Sequence, residues 1–200
     1  MPIVYFGHVP IAIERIDICR GISMPFFPMR PLRNGPIRNT AAVEQIFREI
    51  AEPQLWVVQP KLDGDRACVA VLKNKVYIQN RHGGWYGHNV KNLADFRKLP
   101  DGTVLDGEVS KGSFSIFDVL AVGGKPIMND TAAERTILAM HLTKFLKHVW
   151  RFPTPTKEWL KKMAENIGYD GVVLKRAASP YKIAPSANAI DTLWVKRTWW

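Results

Sequence analysis

Apolar residues along this chain gather into short runs separated by charged and turn-forming residues, a pattern of strands more than of long helices. Leu55 to Val58 is one such run; Pro60 and Lys61 close it just before the Asp63-Gly64 turn. Ala67 to Leu72 carries the chain away, and Asn74-Lys75 is expected to turn it into a strand over 76–79. After the Pro100-Asp101-Gly102 turn, strands are expected over 103–109 and 114–119, and short buried strands over 172–175 and 193–196. Lys61 therefore stands at the mouth of a strand beside Asp63 and Arg66. An amine there is either a solvated charge at a hairpin or a nucleophile.

Helical periodicity is confined to four places. Thr40 is placed to cap a helix over 41–51 that Pro53 ends, and Asn89 to cap a short helix reaching Leu99. Thr131-Ala132-Ala133-Glu134 reads as a capping box opening a helix to about Val149. Thr156 opens another, with Trp159, Leu160 and Met163 inward and Gly168 at its end. Residues 1–39 are rich in Pro and Arg and show no sustained period; Met24 to Pro31 reads as an extended segment docked by its aromatics. This divides the chain into a basic N-terminal segment, 1–39, and a body, 40–200. Strands and helices mix without strict alternation, so the expected class is α+β, antiparallel sheets flanked by helices.

A hydrophobic fraction of 46% over 200 residues is enough for a real core. No apolar run approaches the roughly 18 residues of a membrane span. Residues 1–9 lack the basic start of a secretion signal. Cys19 and Cys68 fit no metal pattern, so a reducing intracellular location, cytoplasm or nucleoid, is expected. The net charge of +10, spread along the chain, favours an anionic partner, most simply nucleic acid. Arg30, Arg33 and Arg38 form a local basic patch.

Four more segments put a charge at the edge of an apolar run: Leu105-Asp106-Gly107-Glu108-Val109, Ile116-Phe117-Asp118-Val119-Leu120, Asp170-Gly171-Val172-Val173-Leu174-Lys175 and Leu193-Trp194-Val195-Lys196-Arg197. Each alone is unremarkable; the ordered set is specific. With Lys61-Leu62-Asp63-Gly64-Asp65-Arg66 and Asn80-Arg81-His82-Gly83, it resembles the nucleotidyltransferase (adenylation) domain of ATP-dependent DNA ligases, in the superfamily that includes RNA ligases and mRNA capping enzymes. The match runs from about residue 24 to 198.

The resemblance implies an ATP-grasp-like nucleotidyltransferase fold and a defined chemistry. Lys61, next to Pro60, attacks the α-phosphorus of ATP and becomes lysyl-AMP. AMP then passes to the 5′-phosphate of a nick, and a 3′-hydroxyl seals the strand. Such a lysine must lose a proton that it holds up to a pKa of about 10.4 in water. Burial and the cations Lys175 and Lys196 are expected to help, and to neutralise phosphate oxygens. Glu108 and Asp170 are the expected Mg²⁺ ligands. Arg66, Arg81 and Glu108 are expected at the ribose or phosphates, and Phe117 against the purine. Asp63 either orients Lys61 or shapes the turn. The implied partner is nicked duplex DNA, or RNA for an RNA ligase, bound by a monomer acting in DNA repair, replication or recombination; a virus-encoded origin fits as well. A non-catalytic nucleic-acid-binding module retaining the fold is the alternative from another class.

Three features depart from the family pattern. Asp170 stands where Glu is usual, one methylene shorter. Thr198 stands where a second lysine is usual; Arg197 is expected to face the wrong side, and Lys182 is a candidate substitute. The family pattern continues past the position of Trp200 into an OB-fold, so that module is expected in a longer chain or from a partner, unless the protein is a naturally minimal one.

Overall fold

The structure is a computed structural model and describes residues 15–36, 44–46, 48, 55–86, 89–144, 146, 158, 162, 169–186 and 188–198. Within them the chain forms the strands β1 (Ile16–Cys19), β2 (Ile22–Met24), β3 (Arg30–Pro36), β4 (Trp56–Leu62), β5 (Asp65–Leu72), β6 (Lys75–Asn80), β7 (Thr103–Ser110), β8 (Ser113–Val122), β9 (Lys125–Pro126), β10 (Tyr169–Arg176) and β11 (Ile190–Thr198). A 3-10 helix covers Leu93–Lys98 and an α-helix, α1, covers Ala132–Thr143.

β1 and β2 make a hairpin, β3-β11-β10-β4 a four-stranded sheet and β6-β5-β7-β8-β9 a five-stranded sheet. All described pairings are antiparallel except β3 with β11, which run parallel. β3 arises from the Pro-rich segment that shows no sequence period. Its pairing is with a strand about 160 positions away, and local pattern carries no record of that.

The expected strands are all present and longer than their apolar runs, because the ladder continues through charged ends. Lys61 lies inside β4 and not after it: Pro60 is tolerated because β4 is the last strand of its sheet, with Val172 opposite. The turn into β6 is Lys73-Asn74 and not Asn74-Lys75; both adopt positive φ, 50° and 59°, and Leu72 pairs with Lys75. The Thr131–Glu134 capping box forms with both reciprocal bonds, but α1 stops at Thr143, short of Val149. Asn89 caps nothing. The short helix is 3-10 and begins after Asn92, whose side chain instead clamps both backbone groups of Phe114 at 2.9 Å. Of the expected helix over 41–51, residues 44–46 and 48 are described and helical; the rest, and the helix after Thr156 apart from residues 158 and 162, lie outside the described residues.

The five-stranded sheet is buried on both faces, which is why Ala67 to Val71 reads as an unbroken apolar run. Ala67, Val69 and Val71 pack with Phe96 of the 3-10 helix and Ala139 and Leu142 of α1. Cys68 and Ala70 face the other way, against Met24, Phe26, Met29, Tyr181 and Trp194. Gln79 secures the Met24–Met29 segment through both backbone groups of Phe26. That second face is where β4, β10 and β11 meet β5, β7 and β8.

Close approach makes two glycines necessary there. A Cβ on Gly64, in the two-residue link from β4 to β5, would lie 2.3 Å from the Val109 carbonyl oxygen. At Gly171, φ +151°, it would lie 1.8 Å from the Arg197 carbonyl oxygen. Gly171→Ala therefore forces β10 and β11 apart. It is expected to cost at least about 1–3 kcal/mol, seen as a lower urea midpoint.

Candidate active site

Lys61 and Asp170 come together through a break in strand regularity. Tyr169 pairs with Leu62 and Gly171 with Lys61, which leaves Asp170 as an extra residue on β10. The bulge re-aims its side chain, and Lys61 Nζ donates to Asp170 Oδ2 in a partly exposed ion pair. Gly171, directly across from Lys61, adds no side chain to crowd the amine. A second bulge does the same on β8. The pairings Asp118↔Asp106 and Ile116↔Gly107 leave Phe117 over, so Phe117 and Asp118, though consecutive, both reach Lys175.

Glu108 of β7 stands opposite Arg66 of β5. Burial is the largest influence on its carboxyl and, against the pull of Arg66, Lys61 and Lys196, pushes it up to about 7. Lys196 is lowered from the ordinary lysine value by burial first, then by Lys61, Arg66 and Arg30. Lys61, Lys196 and Glu108 thus share one electrostatic neighbourhood. Lys196 lies opposite Val173, and Arg197 opposite Val172 on the alternate face, as expected.

Lys175 does not join Lys61. It sits opposite Val57, four positions along β4 from Lys61. Its amine is fully buried, 2.8 Å from the Phe117 carbonyl and 3.0 Å from Asp118 Oδ2, with the Trp194 ring 4.0 Å away. Burial brings it down to about 8 even with Asp118 opposing. Asp118 also accepts from Arg135 Nε at 2.7 Å. Burial works to raise that carboxyl, but Lys175 and Arg135 outweigh it and hold it below the usual range. Arg135 is a residue that the sequence did not single out. It occupies a helical position where a charge reads as solvated, yet it is 0% exposed.

Arg66 is likewise committed inward. Its Nε and Nη2 hold Asp106 at 3.0 and 2.5 Å, and its Nη1 donates to the Met29 carbonyl. Asp106 also accepts from Tyr181 Oη at 2.7 Å. The Arg66 guanidinium lies 5.3 Å from the Phe117 ring centroid, so it supports that ring. Phe117 meets Trp194 edge-on at 6.4 Å, and its carbonyl accepts from Gln59 Nε2 at 3.0 Å. Gln59 is a second residue that the sequence reading passed over; it lies two positions before Lys61 on the same face of β4. Among the described residues, Trp194 Nε1 is the buried side-chain nitrogen or oxygen without a hydrogen-bond partner.

The remaining expected residues are dispersed. Arg81 is exposed in the turn after β6 and donates to His82 Nε2 at 3.0 Å; no described contact ties it to Lys61. The Asp63 backbone carbonyl accepts from Ser110 Oγ at 2.6 Å and its side chain is exposed. Lys182 lies 3.8 Å from Asp191, with its own side chain largely exposed. Arg30 Nη1 is 3.3 Å from Asn188 Oδ1, Arg33 is in β3 opposite Lys196 in register, and Arg38 lies outside the described residues. Among the described residues no group of three or more His, Cys, Asp or Glu is arranged for a metal, and no helix is long and apolar enough to cross a membrane.

A lysine beside two carboxylates and a second amine, at the seam of two packed sheets, defines a class when taken with the comparisons. The chain is similar to curated DNA ligases and has the fold of the nucleotidyltransferase domain of ATP-dependent DNA ligases. It is 26% identical to the SPbeta prophage-derived DNA ligase-like protein LigB of Bacillus subtilis, over 69% of this chain and 62% of that protein. It is 29% identical to DNA ligase C1 of Mycolicibacterium smegmatis, over 65% of this chain and 49% of that protein. The chain thus spans about half to three fifths of these curated relatives. Among solved structures, the ligase domain of LigD from M. tuberculosis superposes with a TM-score of 0.61 at 18% identity, covering 86% of this chain and 59% of that one. A mycobacterial DNA ligase D complexed with ATP and MES gives 0.59 at 19%, covering 88% and 60%. No family model matches the chain.

Two outcomes check this geometry. Asp118→Ala strands Arg135 and Lys175 as buried cations and is expected to cost about 3–5 kcal/mol, read by denaturant unfolding. Glu108 carries a folded pKa near 7 against 4.5 unfolded. Its protonated form is favoured in the folded state, so its contribution is fully present below about pH 4.5 and is lost as pH rises through 7. Glu108→Gln should therefore gain stability relative to the parent between pH 5 and 8, by up to about 3 kcal/mol, measured as the difference in urea midpoints.

Proposed function

We propose that this chain is the nucleotidyltransferase domain of an ATP-dependent DNA ligase, α+β in class, in which Lys61 forms a covalent lysyl-AMP. The observation that carries the reading is the Lys61 amine held against Asp170, in one neighbourhood with Glu108 and Lys196. The DNA ligase relatives add to it.

Lys61 Nζ donates to Asp170, and the amine can attack only as it gives up a proton. ATP enters with its phosphates toward Lys196, whose partly buried amine neutralises charge developing on the leaving oxygens. Asp170, already hydrogen-bonded to Nζ, takes up the proton as the Nζ–Pα bond forms and the bond from Pα to the bridging oxygen of pyrophosphate breaks. Phe117, braced by Trp194, Arg66 and Lys175, presents its ring to the purine. Lys175, Arg66 and Arg135 act as positioning residues, because each works through Phe117, Asp106 or Asp118. AMP then moves to a 5′-phosphate, and attack by the adjoining 3′-hydroxyl seals the strand and releases AMP. Within segment 1–39, β3 lies beside β11 in the sheet that carries Lys61 and Lys196.

Magnesium needs only one or two carboxylates and shares the rest of its shell with water and phosphate. Two carboxylates near Lys61, with no larger acidic cluster described, fit that demand. Glu108 and Asp170 would hold the ion, which would supply charge neutralisation at the pyrophosphate.

Intact mass after incubation with ATP and Mg²⁺ tests the first step. One AMP per chain is expected, absent in Lys61→Ala; an unmodified parent chain removes the reading. Sealing of nicked DNA against nicked RNA then assigns the strand.

A further inference from the structure

Away from Lys61, the β1–β2 hairpin, the turn after β6 and residues 183–185 enclose a groove of about 750 Å³. None of its lining residues belongs to the site described above. Phe26, Phe27, Ile183 and Pro185 make an apolar floor, and Arg15 and His82 stand at its edge. The Arg15 side chain is 78% exposed, and Arg20, one turn residue away from the lining Gly21, is exposed too. The hairpin's own acid, Asp17, accepts from Ser23 Oγ and lies 3.9 Å from Arg15. One carboxylate thus stands against two guanidiniums, and the surface stays positive.

The floor is pre-formed. Gln79 fixes both backbone groups of Phe26, and Ala184 N donates to the Phe27 carbonyl at 2.8 Å, tying floor to wall. Gly83, φ +78°, lets the turn settle on the ring: a Cβ there would lie 3.3 Å from Phe27 Cε1. Groove volumes of about 300–1,000 Å³ suit ligands of nucleotide size. Cations along an edge above an aromatic floor are what unpaired strands require, because phosphates seek charge and bases seek an apolar face. A duplex, its bases already stacked, has no use for the floor.

We propose that this groove binds a single-stranded nucleic-acid segment, with phosphates at Arg15 and Arg20 and bases laid over Phe27 and Ile183. The inference rests on the reading of the chain as acting on polynucleotides, and concerns a surface separate from the adenylation pocket.

Fluorescence anisotropy of a labelled 12-nucleotide oligothymidylate with the whole chain, over a salt series, tests it. R15A/R20A should bind roughly tenfold more weakly. Its log Kd against log salt slope should fall by about 1.4, two single-strand phosphate contacts. Ile183→Glu, folded by circular dichroism, should also weaken binding. An abasic oligomer of equal length should bind the parent chain at least about fivefold more weakly than oligothymidylate, because it keeps the phosphates and loses the stacking partners. Unchanged affinity and slope in R15A/R20A overturn the proposal, and so does equal affinity for the abasic oligomer, which would mark a phosphate-only surface. R15A/R20A should still acquire AMP on Lys61. A parent chain that acquires none sinks the adenylation reading and leaves the anisotropy result standing by itself.

Discussion

Asp118 holds three elements at one point. Its carboxylate receives Arg135 from α1 and Lys175 from β10, while Asp118 itself belongs to β8. All three side chains are essentially without solvent. In such a place a cation must find a carboxylate or a carbonyl, because water is not available to it. The seating of α1 on the five-stranded sheet, and of that sheet on the four-stranded one, follows from this demand. The Phe117 carbonyl takes a bond from Lys175 and another from Gln59, so the same network fixes the backbone from which the Phe117 ring projects.

Regular strands alone would not build the site. Alternation sends neighbouring side chains to opposite faces, yet Phe117 and Asp118 are both needed on one face, and Asp170 is needed beside Lys61. One extra residue on β8 and one on β10 solve both cases. The bulges sit on facing sheets and aim at the seam between them. The short carboxylate at 170 reaches the amine because the backbone brings it there.

The apolar runs revealed most strands, since burial on one or both faces leaves a local imprint, and the capping box located the start of α1. Lys61, Glu108 and Lys196 were legible as strand-end charges, and the structure gathers them. Lys175 and Arg66 looked equivalent to them in sequence but turn inward, because which charge meets which depends on register and bulges that no local pattern encodes. Arg135 was invisible for the opposite reason: a lone arginine in a helix looks like a solvated one until its partner on another strand is known. β3 escaped because a parallel pairing to a distant strand leaves Pro and Arg where alternation would normally be sought.

β4 has a described strand neighbour on one flank only, and the residue just before Lys61 is a proline. An imino acid offers no amide hydrogen, so the outermost strand is one donor short of a complete ladder. A stray segment from another molecule would find that border poorly equipped for pairing. The border strand that bears Lys61 is thereby a weaker template for a foreign strand than an unbroken one.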